Sequence, residues 1–427
     1  MGETALERQQ GTDDDPSGPG RFPRTPRQLG RWLWEHLGVL DWIAIVLLIL
    51  GLIFVGTGLL PEAGALGADS TFSRIWPILI FLATVLVLAE LTNTAGLFDL
   101  VARRLAIVAR GHFGALFIMC VAFASITTIG LNLDTTAVLL TPVMLALARV
   151  IKAPPLPLAM CTVWLANTAS LLLPVSNLTN LLSATRVGLA PTGFAATMGT
   201  AQIASLLVTG LLLWVFYWRR GQRGTDRYEV PAPFKAPDSV LLWLSALACL
   251  FFIAAILAGA QLEIASGIAC GVVLLAFVIR KPRALRWRLI PWRLPVFVTG
   301  MFFTVQTISY HLLQPLLATL VSSSPGASGV FRAAATGAGL ANIVNNLPAY
   351  IAVESAVPVA NHTQLLGLLI GVNVGPVILP WASLATLLCY ERCVASGVAV
   401  PLRRFIPTGA CVAVAGIALS VAALVWA

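Results

Sequence analysis

Charge is what this chain lacks most. Only 11% of its 427 residues are Asp, Glu, Lys or Arg, roughly half the share of an ordinary soluble domain. The shortage excludes a well-solvated globular surface. Catalytic signatures are missing as well: there is no phosphate loop, no nucleophile elbow and no HExxH helix. The chain is therefore not expected to hydrolyse ATP or to be an enzyme. It has only four histidines, at His36, His112, His311 and His362, all near loops or span ends. The seven cysteines, Cys120, Cys161, Cys249, Cys270, Cys389, Cys393 and Cys411, are scattered through apolar runs. Cys389 and Cys393 are helical neighbours with no His or second cysteine pair to complete a metal site. Neither metal nor cofactor is expected.

What is present is apolar: 58% of the residues are hydrophobic, and they fall in runs near the ~20 residues that one helix needs to cross hydrocarbon. Residues 1–38 differ. They begin polar and rich in Gly, Pro, Arg and Asp, which predicts a disordered tail, and they carry no signal-peptide pattern. Trp32, Trp34 and Trp42 mark the membrane interface. The apolar segments lie near 40–60, 75–98, 113–131, 134–150, 156–185, 194–218, 239–259, 262–280, 294–320, 331–347, 348–357, 364–390 and 404–426.

Four of these regions are not simple spans. Segments 113–131 and 134–150 are separated only by Asn132 and Leu133, too little chain to leave a membrane and return. They read as one hairpin that dips in and out on one side, as irregular backbone at membrane depth requires a protein or aqueous cover. A second hairpin, 331–357, turns at Asn345-Asn346-Leu347-Pro348. Segment 156–185 is interrupted at Pro174, and 364–390 at Asn373, Gly375, Pro376 and Pro380. Broken helices in matching places of two halves point to a transporter's binding site. Here they match with one offset of 206: Asn167 and Pro174 against Asn373 and Pro380, then LTNLL (178–182) against LATLL (384–388).

The predicted fold is therefore an all-α polytopic membrane protein of two inverted-topology repeats, about nine full spans plus two hairpins. A cytoplasmic tail (1–38) precedes an N-terminal transmembrane half (39–218, hairpin 113–150, broken helix 156–185). A cytoplasmic linker (219–238) leads to a C-terminal half (239–427, hairpin 331–357, broken helix 364–390). With the N-terminus inside and the hairpins facing opposite sides, 24 of the 27 Lys and Arg fall on the cytoplasmic side; Arg74, Arg186 and Arg332 are the others. That is the expected positive-inside bias.

Candidate site residues cluster at the tips and breaks. Asp134 is an acid at a predicted midplane tip, where an ionisable group is costly and marks function by default; the alternative is that its carboxylate caps the second arm by accepting from the Ala137 N–H. Asn132, Thr135 and Thr136 flank it and could equally satisfy the hairpin's own backbone. Asn345 and Asn346 occupy the second tip, with Pro348 as a first helical residue. Ser176, Asn177 and Asn180 follow the first break, with Thr179 among them; Asn373 and Ser383 serve the second. Thr179 and Ser383 could instead bond back to their own helices. Glu90, beside Asn93 and Thr94, reads evenly as a proton relay or as part of a polar interface.

At these motifs the chain resembles the ion transporter superfamily that joins arsenite efflux permeases with dicarboxylate and citrate carriers, and is most similar to its arsenical pump membrane protein branch. The residues that carry the resemblance are LDTTAVLLTP (133–142), ANTASLLLPVSNLTNLL (166–182), NIVNNLPAYI (342–351) and GVNVGPVILPWASLATLL (371–388). It runs from about Trp76 to the C-terminus. It implies an antiporter exporting arsenite or antimonite in exchange for protons, with Asp134 as the coupling group and the tip and break residues as the substrate cradle. It allows a soluble ATPase partner, and a homodimer is the expected assembly; nucleic acid is not an expected partner. Neutral arsenite suits a site of Asn, Ser and Thr without Arg or Lys. The alternative is a cation-coupled carboxylate or inorganic-anion carrier, because half-helix N-termini can hold an anion without basic side chains. A membrane sensor or a membrane enzyme is the remaining class of reading; the paired hairpin motifs argue against the first and the missing nucleophile or metal cluster against the second.

Overall fold

The computed structural model describes residues 39–426 apart from 60–70, 131, 220–226, 233–235, 237, 259, 287–288, 291, 309–310, 312–313, 322–325 and 359. The predicted tail and part of the predicted linker lie outside the described residues. Among those described there are 17 α-helices and no strand. They are α1 (Val39–Gly56), α2 (Thr71–Ala95), α3 (Leu97–Val108), α4 (Phe113–Gly130), α5 (Leu133–Val150), α6 (Pro155–Thr168), α7 (Leu178–Val187), α8 (Pro191–Leu213) and α9 (Ser239–Leu257). There follow α10 (Leu262–Arg280), α11 (Arg293–Ile308), α12 (Gln314–Val321), α13 (Ala327–Val344), α14 (Asn346–Glu354), α15 (His362–Val374), α16 (Leu384–Ala395) and α17 (Leu402–Trp426).

Seven helices are long and apolar enough to cross a membrane, and two shorter apolar stretches, Ala44–Gly56 and Pro295–Ile308, join them. The side-chain distribution is inverted relative to a soluble protein. Leu207, Leu250, Leu275 and Val414 stand exposed on the outer faces of α8, α9, α10 and α17, while Asn167, Gln202, Gln364 and Asn373 are fully buried. Apolar surface of that extent is compatible with lipid, not with water.

Small residues set the closest helix crossings, as in other membrane bundles. A Cβ on Gly300 of α11 would come 2.3 Å from the Leu48 backbone nitrogen of α1. Gly367, Gly371 and Gly375 fall four apart and seat α15 on α13; a Cβ on Gly371 would stand 2.0 Å from the Ala334 carbonyl oxygen. Polar pairs tie other helices, including Thr84 Oγ1 of α2 with Ser266 Oγ of α10 at 2.7 Å and Tyr217 OH with Thr408 Oγ1 of α17 at 2.9 Å.

Three sequence expectations need correction here. The segment predicted at 75–98 ends at Gly96, whose left-handed φ of 87° turns the chain into a separate amphipathic helix, α3. That helix buries Phe98, Ala102 and Ala106, and Tyr228 OH donates to the Ala106 carbonyl at 2.7 Å. The segment predicted at 294–320 is two helices, α11 and α12. In the second hairpin the turn is Asn345 alone, at φ 87°, so Pro348 sits inside the first turn of α14 rather than at its start.

Candidate functional site

Two units of the same design meet at the centre. In each, a helical hairpin is followed by a helix broken in mid-course: α4–α5 with α6–α7, and α13–α14 with α15–α16. The breaks follow from proline and from the caps beyond it. After α6 the chain makes a short 3-10 turn, Pro174–Ser176, before α7. After α15 a similar turn spans Gly375–Val377, and Ser383 opens α16.

Breaking a helix releases backbone groups that must find partners inside the membrane. At the first break, Gln202 of α8 accepts from the Leu171 N–H at 2.8 Å and donates to the Thr168 carbonyl at 3.0 Å. Asn180 Nδ2 donates to the Ser170 and Leu173 carbonyls at 2.6 and 2.9 Å. At the second, Thr386 Oγ1 donates to the Pro376 carbonyl at 3.1 Å and Asn342 Nδ2 to the Gly375 carbonyl at 3.0 Å.

The new helices are capped alike. Asn177 Oδ1 accepts from the Thr179 N–H at 3.2 Å, and Ser383 Oγ accepts from the Thr386 N–H at 3.0 Å. Ser383 is thus an N-cap and not a residue bonded back to an earlier carbonyl, and Thr179 Oγ1 points away from its own helix. Each hairpin tip is fastened to the break that follows it. Ser176 Oγ donates to the Ile129 carbonyl at 2.8 Å. Asn345 Nδ2 donates to the Trp381 carbonyl at 3.0 Å, and Trp381 Nε1 donates to the Asn342 carbonyl at the same distance.

The two breaks are joined directly. Asn373 Oδ1 accepts from Asn177 Nδ2 and Thr179 Oγ1, both at 2.8 Å, and Asn373 Nδ2 donates to Asn180 Oδ1 at 2.7 Å. The counterpart bond runs from Asn167 Nδ2 to Thr386 Oγ1 at 2.8 Å. Since 167 and 373, and 180 and 386, are each 206 apart, these bonds are related by the repeat. Asn167, Thr386, Asn342 and Trp381 were not among the residues picked from sequence. The offset itself points to the first two, because Asn167 stands at Asn373's place and Thr386 at Asn180's.

Between the tips and breaks lies a cavity of about 30 Å³, lined in part by Asp134, Asn177, Asn345 and Asn346. That is room for one or two waters, so the cradle is tightly closed around it. Ile78 of α2 and Val298, Met301 and Phe302 of α11 form its apolar wall. Leu133, Leu178, Asn346 and Leu384 also line it, and each is the first residue of a helix: α5, α7, α14 and α16. Four helix N-termini therefore converge on one small space. Each brings unpaired N–H groups and roughly half a positive charge.

Asp134 is the one acidic side chain on that lining. Its Oδ1 is buried with no hydrogen-bond partner among the described residues. The expected alternative role as a cap is not seen, because Asn132 fills it, accepting from the Thr135 N–H at 2.7 Å. Thr135 and Thr136 are buried with unpartnered hydroxyls and, like Ser176 and Ser383, do not line the cavity. Glu90 does not line it either: its carboxylate pairs with Arg392 Nη1 at 3.0 Å.

Apolar helices with a polar interior, paired breaks and a small central cavity define a multi-pass membrane transporter. The chain belongs to the citrate transporter (CitMHS) family, whose model matches residues 32–386. Its curated relatives include the arsenical pump membrane protein of Escherichia coli, 26% identical over an alignment of 385 positions that covers 83% of this chain and 86% of that one. The putative arsenical pump membrane protein of Bacillus subtilis strain 168 is 23% identical, over 83% of this chain and 87% of that one. Among solved structures, the Alcanivorax borkumensis YdaH transporter aligns with a TM-score of 0.48 at 14% identity, covering 91% of this chain and 97% of that one.

Proposed function

We propose that the protein is a secondary transporter that exports arsenite and antimonite by proton antiport. The observation that carries this reading is Asp134, a lone carboxylate with a shielded, unpartnered oxygen, facing a cavity built from four helix N-termini. Neutral trihydroxy arsenite has hydroxyls to donate and oxygens to accept. The helix ends supply N–H donors; Asp134 and the asparagine Oδ1 atoms supply acceptors. Asp134 exchanges a proton as the solute enters or leaves, so that charge is never left unbalanced at this depth. Asn132, Thr135, Thr136, Ser176, Asn177, Asn180, Asn345, Asn346, Asn373 and Ser383 shape the cradle. The arsenical pump relatives support this substrate.

In this reading the halves 39–218 and 239–427 are inverted repeats, the N-terminus is cytoplasmic, and alternating access moves the cradle against α2 and α11. The distribution of Lys and Arg supports the orientation. A cation-coupled carboxylate carrier is the second reading, favoured by the converging N-termini, which attract an anion, and by the family's citrate transporters.

The test is arsenite accumulation in cells that lack their own efflux system, expressing the intact chain or Asp134→Asn. The intact chain lowers accumulation by an order of magnitude or more. The variant leaves accumulation at the level of cells without the protein. If both chains reach the membrane equally and neither changes arsenite, while the intact chain moves citrate, the carboxylate reading replaces this one.

A further inference from the structure

A second and far larger cavity, about 590 Å³, opens beside the cradle between α2, the end of α5 and the end of α16. Its size is that of a small-molecule pocket. Its lining carries three basic side chains, Arg149, Lys152 and Arg392, against one acid, Glu90, with Asn93 and Ser396 as further polar groups. Arg392 is the best ordered of these: its side chain is 18% exposed, Nη1 donates to Glu90 Oε2 at 3.0 Å and Nη2 to the Leu86 carbonyl at 3.3 Å. Arg149 reaches only Asp99, at 3.9 Å and largely in the open, and Lys152 has no ion partner among the described residues.

The repeat shows what is unusual here. Arg392 stands 206 residues after Arg186. Arg186 donates from Nη2 to Glu354 O at 2.9 Å, and its Nε is buried without a hydrogen-bond partner among the described residues. Arg392 also donates to a backbone carbonyl, but it faces a roomy, net-positive space and is paired with a carboxylate from another helix that is 43% exposed.

We infer that this cavity is an anion-binding antechamber, distinct from the cradle, that takes a small oxyanion of two or three charges. Arg149, Lys152 and Arg392 bind it, and the incoming oxyanion replaces Glu90 at the Arg392 guanidinium, which matches carboxylate or phosphate geometry in two bonds. The inference rests on the cavity and its charges, not on which solute the cradle carries.

The test is calorimetric titration of citrate, as a trivalent probe, into the full-length protein in phosphatidylcholine nanodiscs at low salt. Lys152→Gln and Arg392→Gln each weaken binding about tenfold, the size of one lost charge-assisted contact. Glu90→Gln does the opposite and tightens it severalfold, because the resident competitor is gone. Lys152→Gln leaves the Glu90–Arg392 pair intact, so it reports on binding even if Arg392→Gln folds poorly. Nanodiscs that contain phosphatidylglycerol separate the two sources of oxyanion: lost citrate binding there assigns the cavity to lipid headgroups, retained binding to soluble anions. A purely structural ion pair predicts that Glu90→Gln and Arg392→Gln act alike. That result, or citrate binding indifferent to Lys152→Gln but abolished by Asp134→Asn, overturns the antechamber.

Discussion

The two hairpin and broken-helix units solve one problem by different means. In the first, the returning arm α5 has 18 residues and packs mostly bulky side chains against its neighbours. In the second, the returning arm α14 has only nine. The second unit also differs in glycine. At 367, 371 and 375 it has Gly, Gly and Gly, where the first unit has Cys161, Leu165 and Ala169 at the equivalent positions. The α13–α15 contact is thus made backbone to backbone, and the contact around α6 is made by side chains. Close backbone approach gives dispersion and weak C–H···O contacts that lipid cannot replace. These contacts hold the outgoing arm α13 rather than the short arm α14.

The sharpest way to break this comparison is to put the first unit's residue into the second. Gly371→Leu drives a side chain into the Ala334 carbonyl and prevents α15 from seating on α13. The effect is expected at or beyond the upper end of the ~1–3 kcal/mol usual for overpacking, seen as a large loss of monodisperse protein and of thermal stability. The reciprocal change, Leu165→Ala, leaves a cavity and costs about 2–5 kcal/mol, with the protein still recovered. A Gly371→Leu protein as stable as the parent would remove the glycine argument.

The second comparison is between the two joining amides. Asn373 holds three partners on α7 and its cap, whereas Asn167 reaches across to Thr386 alone. The Asn167 amide also donates to the Val163 carbonyl of its own helix at 3.1 Å, so at about 1 kcal/mol net per bond Asn373→Ala is expected to cost about one and a half times as much as Asn167→Ala. Thermal unfolding of the two variants in the same detergent measures the ratio. Equal losses would mean that the network relaxes around either gap.

The smallest effect lies outside both units, where Asp238 caps α9 and pairs with Arg280 at the end of α10 at 3.0 Å. The Arg280 hydrogen bond, with help from the α9 backbone N–H groups, holds the Asp238 carboxyl below its usual value. A carboxyl depressed on folding adds stability above its unfolded pKa and loses it as pH falls through the folded one. Asp238→Asn should therefore lower the melting temperature slightly at neutral pH, and the gap from the parent should close in acid. A gap that persists in acid would assign the effect to packing.

Much of the centre was readable in the sequence because it is repeated. The offset of 206 located both breaks, and the two-residue gap at Asn132-Leu133 located the first tip. What one half has, the other must place by the same fold. Unrepeated features were not readable. Nothing local shows that Asn132, not Asp134, caps α5; both residues can cap, and the choice depends on backbone geometry at the turn. Glu90 finds Arg392 across 302 residues, a pairing that no helical spacing encodes. The helix α3 was missed because its narrow apolar stripe of Phe98, Ala102 and Ala106 falls after a stronger span.

The amide of Asn373 also has a meaning over evolutionary time. Drift at 373 takes a partner from Asn177, Thr179 and Asn180 together, whereas drift at 167 takes one from Thr386, which keeps its bond to the Pro376 carbonyl. Position 373 should thus be inherited as a block with those three, changing only in lineages where they change as well.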